Sequence, residues 1–195
     1  MRGRACMLPQ GVWLGIVVLT LLAGCAELPM HAPTPSFDVI EKAKASRTAP
    51  VALGQFKVDP SVNPDIDKGL SVRTNQLFSP YEHSFAQFLR QAALTDLQAA
   101  GLYDANAPVT LSGYLTDSML SVPADSGEAS LGVRFILTRS GQKVFEKELK
   151  TRASWESSFL GVTAIQDGIN QYTNLYHKIL GILLSDPYYQ TVNSK

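Results

Sequence analysis

Three alternating segments between residues 109 and 156 constrain the fold of this chain most strongly. Apolar side chains fall on alternate positions over 109–115, 131–137 and 145–155, and polar turns at 123–128 and 140–141 separate the segments. Side chains of a strand point alternately to its two faces, and short turns join antiparallel neighbours. We therefore predict an antiparallel sheet with one covered face. Its open face would carry the charged residues of the third segment, namely Glu146, Glu148, Lys150, Arg152 and Glu156.

Two amphipathic segments supply helices for the covered face. Ser79-Pro80-Tyr81-Glu82 has the features of a helix start, with a capping serine, a first-turn proline and a capping-box glutamate, and Gly101 ends that helix. The second helix begins near Thr163, where Gln166 completes a similar box, and ends at Ser185-Asp186-Pro187. Apolar residues recur three and four positions apart in both, which favours core packing over an aromatic ligand site. They are Tyr81, Phe85, Phe88, Leu89, Ala92, Ala93, Leu97 and Ala100, then Ile165, Ile169, Tyr172, Leu175, Tyr176, Ile179, Leu180 and Leu183.

A further strand over Val51–Val58, stopped by Asp59-Pro60, precedes the first helix. The order of elements is then β-α-β-β-β-α. One apolar face on the sheet and one on each helix predict an α+β two-layer sandwich, with a mainly antiparallel sheet and two helices on one face. We place this domain at residues 51–190.

Residues 25–50 have the composition of a flexible tether. Four prolines are scattered among small and charged residues, and few large apolar side chains are present. Such a segment buries too little surface to offset its ordering entropy. We predict a proline-rich spacer able to hold the domain tens of Å from a membrane. A short helical turn around 37–45 is the alternative.

The N-terminal segment has the pattern of a secretory signal. Arg2 and Arg4 precede an apolar run that starts at Gly11 and ends in Leu22-Ala23-Gly24-Cys25. The run is shorter than the ~20 residues of a membrane-spanning helix. Its end resembles the bacterial lipobox, which implies cleavage between Gly24 and Cys25, removal of residues 1–24, and an N-palmitoyl, S-diacylglycerol cysteine at position 25.

The residue after Cys25 indicates the membrane in which the anchor lies. Ala26 follows Cys25, whereas Asp would resemble an inner-membrane retention signal, so we predict a lipid anchor in the outer membrane with the domain facing the periplasm.

The whole chain has 17 basic and 17 acidic residues, and loss of Arg2 and Arg4 leaves 15 against 17, a net charge of −2. The sequence lacks the stripe of basic residues that is typical of nucleic-acid-binding proteins, so we expect no nucleic-acid binding. The second cysteine, Cys6, lies in the signal segment.

No motif for catalysis or metal binding is present. His31, His83 and His177 lack the spacing of metal ligands. Asp65-x-Asp67-x-Gly69 departs from a calcium loop, which needs glycine at its sixth position and glutamate at its twelfth. Phosphate loops and nucleophile elbows are missing. We therefore expect no catalytic residue, no metal, no cofactor and no enzyme activity.

A binding surface is the remaining possibility. Trp155, Phe159 and Leu160 lie between the last strand and the second helix, and tryptophan is enriched in binding hot spots. The alternative is that Trp155 closes the end of the sheet while Phe159 covers the helix. Open sheet edges also permit docking or self-association, so the oligomeric state stays open.

The chain resembles the YajG-type outer-membrane lipoproteins over about residues 50–185. The segments that carry the resemblance are 71–75, 97–103, 108–111 and 151–155. The family has no established activity to carry over, and our lead hypothesis is a non-enzymatic, membrane-anchored lipoprotein that binds a protein partner in the envelope or helps to maintain the envelope. The architecture is also similar to LptE and the ABC-transport auxiliary lipoproteins, which implies, as the alternative, an accessory role in lipid or lipopolysaccharide transport.

Overall fold

The computed structural model describes residues 27–194. The elements in chain order are β1 (Glu27–Pro29), α1 (Phe37–Ser46), β2 (Ala52–Val58), a 3₁₀ helix (Pro64–Asp67), β3 (Leu70–Val72), β4 (Asn75–Phe78), α2 (Phe85–Ala99), β5 (Val109–Ser121), β6 (Ser126–Arg139), β7 (Gln142–Glu156), α3 (Gly161–Leu184) and α4 (Pro187–Val192). The signal segment, Gly24 and Cys25 lie outside the described residues, so cleavage and lipidation stay predictions.

The main sheet has the strand order β2-β5-β6-β7. β5, β6 and β7 are antiparallel neighbours, as the alternating segments predict. β2 pairs with β5 in parallel, because α2 carries the chain back across the sheet between them. The predicted α+β fold is confirmed, and the main sheet with α2 and α3 follows the predicted β-α-β-β-β-α order as β2-α2-β5-β6-β7-α3. β3 and β4 lie between β2 and α2 and form a second sheet with β1, in the order β1-β4-β3.

One hydrophobic core lies between this sheet and the helices. α2 packs over β2 and β5, whereas α3 packs over β6 and β7. Tyr172 and Tyr176 of α3 are fully buried, and their hydroxyls form a hydrogen-bonded chain with Ser118 of β5, with both O–O distances 2.7 Å. The buried apolar residues form one cluster from Met30 to Tyr189. The described residues therefore contain a complete core.

The opposite face of the main sheet is charged, as predicted. Glu146 and Glu148 point to solvent beside Arg134, which lies over the ring of Tyr114. Lys147 has the other parity and pairs with Asp186 at the start of α4. Inward-facing charge on an outer strand disfavours addition of a further strand to that edge. Within residues 27–194, no helix combines the length and the apolar character that crossing a membrane requires.

The predicted tether is wrong for the described residues from Glu27 to Pro50. β1 pairs in parallel with β4, and Met30 is buried behind it. α1 packs against α3 and α2, with Val39 and Ala43 exposed by 0% and 3%. These two small apolar residues lie one turn apart on one helix face, so α1 buries a narrow stripe that composition alone does not reveal. The folded domain therefore includes the residues from Glu27 to Pro50 and does not start at Val51.

Both predicted helix starts differ from the observed ones. Ser79 accepts a hydrogen bond from the backbone of Tyr81 in a turn, and Glu82 has a φ of 55°, which prevents helix there. Ser84 caps α2 instead, since its hydroxyl accepts from the N–H of Gln87 at 3.1 Å. α3 begins at Gly161, before the predicted Thr163, and has no side-chain cap. Strong local signals therefore gave the helices but not their first residues.

Two glycine predictions are confirmed. Gly101 adopts a φ of 71° after α2, and the N–H of Leu102 donates to the carbonyl of Leu97 at 2.8 Å, which is a Schellman ending. Ser140 and Gly141 both have positive φ, at 51° and 78°, as a type I′ turn between β6 and β7 requires. Local backbone geometry decides both, so sequence suffices to predict them.

Candidate functional site

A short apolar segment stands exposed between β7 and α3. Phe159, Leu160 and Val162 are 84%, 68% and 87% exposed, and we call residues 159–162 the apolar segment. Among the described residues, the other large apolar side chains classed as exposed are Phe37 and Tyr188. Contiguous exposed apolar surface on a folded domain marks a binding site more often than an accident of packing.

Arg73 fixes the apolar segment to the rest of the fold. It lies in the turn between β3 and β4 with a φ of 56°. Its guanidinium donates to the carbonyls of Ser158 and Phe159 at 2.9 and 3.4 Å, immediately before and within the segment. It also donates to the carbonyls of Val122 and Pro123 at 3.0 and 3.3 Å, after β5. One side chain therefore joins the β3–β4 turn, the end of β5 and the apolar segment.

An apolar groove continues from the segment toward the start of the chain. It has a volume of about 280 Å³ and is lined by Leu28, Asn75, Val162, Ile165, Gln166 and Ile169. Leu28 belongs to β1, the first described element, whereas Val162 and Ile165 lie in the first turns of α3. The groove therefore lies between the N-terminal strand and the N-terminal end of α3, next to the apolar segment.

The three predicted binding residues do not lie together on one surface. Trp155 is half-buried, and its indole packs on Gly127 of the paired strand β6, where an added Cβ would lie 2.1 Å from the ring. Trp155 therefore closes the end of the sheet, which was the packing alternative. Phe159 and Leu160 are exposed, so Phe159 does not cover the helix. Sequence reasoning missed Val162, although its apolar side chain follows Leu160 with only a glycine between them.

A histidine–aspartate pair lies elsewhere, between the helices. Nδ1 of His177 is 2.6 Å from one oxygen of Asp96, and the other oxygen of Asp96 accepts from the backbone N–H of Ser36 at 2.8 Å. The Asp96 side chain is fully buried and His177 is 13% exposed. The pair thus connects α2 and α3 to the residue that precedes α1. The two residues are 81 positions apart, which explains why no local motif indicates them.

The His177 side chain borders a surface cavity. That cavity has a volume of about 470 Å³ and is lined by Thr34, Pro35, Ser36, Asp38, Ala153, Gln171, Asn174, Leu175, His177 and Lys178. A histidine oriented by a carboxylate supplies two of the three members of a hydrolytic triad, and the third is a nucleophile hydrogen-bonded to the histidine. Within residues 27–194, no serine, threonine or cysteine side chain hydrogen-bonds to His177. The arrangement fits a packing role.

Other ionisable side chains are committed to local structure. Asp67 accepts from the N–H of Ala86 at 2.7 Å at the start of α2, and Asp65 pairs with Lys68. Hydrogen bonds from the side chain and backbone of Ser61, with the nearby Arg134 guanidinium, lower the pKa of Asp59 despite its burial. Within the described range, no three histidine, cysteine, aspartate or glutamate side chains converge as metal ligands do.

Comparisons with known proteins show the fold and leave the function open. No protein-family model and no curated protein sequence matches the chain. A Xanthomonas campestris protein of family DUF330 has a similar structure, with a TM-score of 0.53, 11% identity, and 82% of this chain and 95% of that chain covered. A "putative lipoprotein" from Caulobacter crescentus covers 50% of this chain and 78% of its own, with 17% identity and a TM-score of 0.35. The first likeness shows a shared fold, whereas the second is too low for any conclusion.

Proposed function

We propose that this chain is a non-enzymatic protein of the bacterial envelope, anchored in the outer membrane by lipid on Cys25 and facing the periplasm. The apolar segment and the groove beside it serve as its binding surface. The observation that carries the proposal is an exposed apolar segment held in place by Arg73 rather than left to move freely. A domain with a complete core and no need of that segment for packing would otherwise gain by burying it.

The start of the chain supports the anchoring. Leu-Ala-Gly-Cys at positions 22–25 ends an apolar run of the length of a secretory signal. Glu27, two positions after Cys25, already belongs to a strand of the folded domain. A lipid on Cys25 would therefore lie next to the domain.

The non-enzymatic part of the proposal rests on how the ionisable groups are used. The His177–Asp96 pair is the arrangement most similar to catalytic machinery, and its carboxylate holds Ser36 and His177 within the helix packing. The carboxylates of Glu146 and Glu148 pair with Lys143 and Lys150 on the open face of the sheet. These groups stabilise the fold where they lie.

The groove favours one alternative function, that of an accessory lipoprotein for lipid or lipopolysaccharide transport. Its lining by Leu28, Val162, Ile165 and Ile169 is apolar enough to receive part of an acyl chain. Mild extraction of the protein from membranes, followed by mass spectrometry, tests this function. Co-purified transporter subunits that disappear in a Val162→Asp variant would favour the alternative over the lead proposal.

Anchoring is tested with the full chain produced in bacterial cells. Wild type is expected in the outer-membrane fraction with residues 1–24 removed and the mass of a triacylated cysteine at its N-terminus. Cys25→Ser should accumulate as uncut precursor, whereas the control Cys6→Ser should be processed normally. A Cys25→Ser protein that is processed and still partitions into detergent would contradict the proposed anchor.

A further inference from the structure

We infer that the partner of the apolar segment is the lipid bilayer itself, so that this end of the domain rests on the membrane surface beside the anchor. The inference deepens the proposed function and rests on its lipid anchor at Cys25. In this arrangement the domain touches the membrane through Phe159, Leu160 and Val162, and no tether holds it away from the membrane.

Chain reach brings the anchor to the segment. Leu28 lines the same groove as Val162, and Cys25 is three positions before Leu28. A fully extended chain spans at most about 3.6 Å per residue, so Cys25 lies within about 11 Å of Leu28. Acyl chains attached at Cys25 would therefore enter the bilayer next to the exposed side chains of the apolar segment.

The direction of β1 is consistent with this placement. β1 runs parallel to β4, with Glu27 beside Gln76 and Pro29 beside Phe78. Glu27 is thus at the end of β4 that follows the Arg73 turn, and Arg73 contacts the apolar segment. The start of the described chain and the exposed apolar side chains lie at the same end of the domain.

The chemistry of the segment suits a bilayer surface. From Ser157 to Gln166 the chain has no ionisable side chain, in a protein with 17% charged residues. Side chains such as Phe and Leu partition into the boundary between headgroups and acyl chains. The three acyl chains proposed on Cys25 hold the protein at the bilayer, so the apolar segment would act on the orientation of the domain.

A second copy of the chain is a poorer occupant. An aromatic side chain buries about 150–250 Å², and the leucine and valine are smaller, so the three side chains supply less than about 750 Å². A stable protein interface needs about 800 Å² from each partner. The segment is therefore small for a dimer interface, whereas insertion into a bilayer sets no minimum area of this kind.

The test places a fluorophore on the segment in the full-length, processed protein. Leu160→Cys and a matched control, Phe37→Cys, are labelled with bimane and reconstituted into vesicles of phosphatidylethanolamine and phosphatidylglycerol. Phe37 is a fitting control because it is also apolar and exposed, at 73%, on α1. Neither substitution removes a packed side chain. Val162→Cys repeats the measurement at a second position of the segment.

We expect a blue-shifted emission at position 160, and quenching by nitroxide-labelled phospholipid several-fold greater than at position 37. Equal quenching at both positions would overturn the inference. A blue shift at position 160 without lipid quenching would overturn it too, and would indicate a protein or a second copy on the segment. Mass spectrometry of the same sample separates the two proposals. A lipidated protein with a water-exposed label refutes the membrane contact and leaves the anchor intact, whereas an unlipidated protein refutes both.

Discussion

Asp96 is the residue whose replacement best tests whether the chain before Val51 belongs to the fold. Its buried carboxylate accepts from the Ser36 backbone immediately before α1 and from His177 of α3. If this contact holds α1 in place, Asp96→Ala should loosen α1 selectively while weakening the whole domain. Asp96→Asn is the matched control, because its amide oxygen can still accept from the Ser36 N–H.

The magnitude follows from the groups left without partners. Loss of the carboxylate leaves the partly buried Ser36 N–H without its acceptor, which costs up to about 1–3 kcal/mol. It also removes a hydrogen bond to His177 that is charge-assisted, worth about 1.5–3 kcal/mol, although His177 can turn toward solvent and recover part of this. We expect Asp96→Ala to lower the free energy of unfolding by about 2–5 kcal/mol. Asp96→Asn should cost about 1–2 kcal/mol, since it loses the charge and keeps the acceptor.

Urea unfolding of residues 27–195, followed by the fluorescence of Trp155, measures the global effect. The chain has two tryptophans, and the other, Trp13, is absent from this fragment. Hydrogen exchange measures the local effect, with faster exchange expected for the amides of α1 in Asp96→Ala than in Asp96→Asn. An Asp96→Ala protein within 0.5 kcal/mol of wild type, or one with unchanged exchange in α1, would refute the role of this contact.

Three further predictions concern other named contacts. Arg73→Ala should increase hydrogen exchange in the apolar segment and cost about 1–3 kcal/mol, and Arg73→Lys should restore less than half, because a lysine cannot reach four carbonyls. Gly127→Ala should displace Trp155, cost about 1–3 kcal/mol and shift the tryptophan emission. Gly141→Ser, which strains the 140–141 turn but lies away from Trp155, should leave the emission of the folded protein unchanged. Burial opposes ionisation of Asp186, yet hydrogen bonds from Lys147 and two α4 backbone N–H groups lower its pKa. The contribution of ionised Asp186 to the free energy of unfolding is therefore complete above about pH 5 and is lost as pH falls through the lowered pKa. Asp186→Asn should reduce the pH dependence of the free energy of unfolding, measured between pH 7 and pH 2.

The sequence predicts the features that local chemistry decides. The alternation of apolar residues over 109–155 predicts the three antiparallel strands. Gly101 and the 140–141 turn are also predicted, because their residue types favour the positive φ angles that these positions adopt. The start of α2 shows the limit of local reasoning, because two serines compete. Ser79 has the stronger helix-start signal, because Pro80 and Glu82 follow it. The positive φ of Glu82 prevents a helix from starting at Ser79, and Ser84 is the N-cap of α2 instead.

The sequence does not predict contacts between distant segments. β1 pairs with β4, and the stripe of Val39 and Ala43 is too short to raise the apolar content of its region. The candidate site shows the same division. Phe159 and Leu160 follow from their place after the last strand, whereas the part played by Leu28 depends on a strand pairing that no local pattern reveals.

The proposed anchor at Cys25 would restrict the orientation of a domain in which Glu27 already belongs to a strand. β6 runs away from the apolar segment for 14 residues, and α3 runs in the same direction for 24. At about 3.3 Å per strand residue and 1.5 Å per helix residue, these elements span about 46 and 36 Å. With the apolar segment on the membrane, the turn at 140–141 and α4 would face the periplasm at the far end. A soluble envelope partner would then meet that far end and the charged face of the sheet, and would not meet the apolar segment.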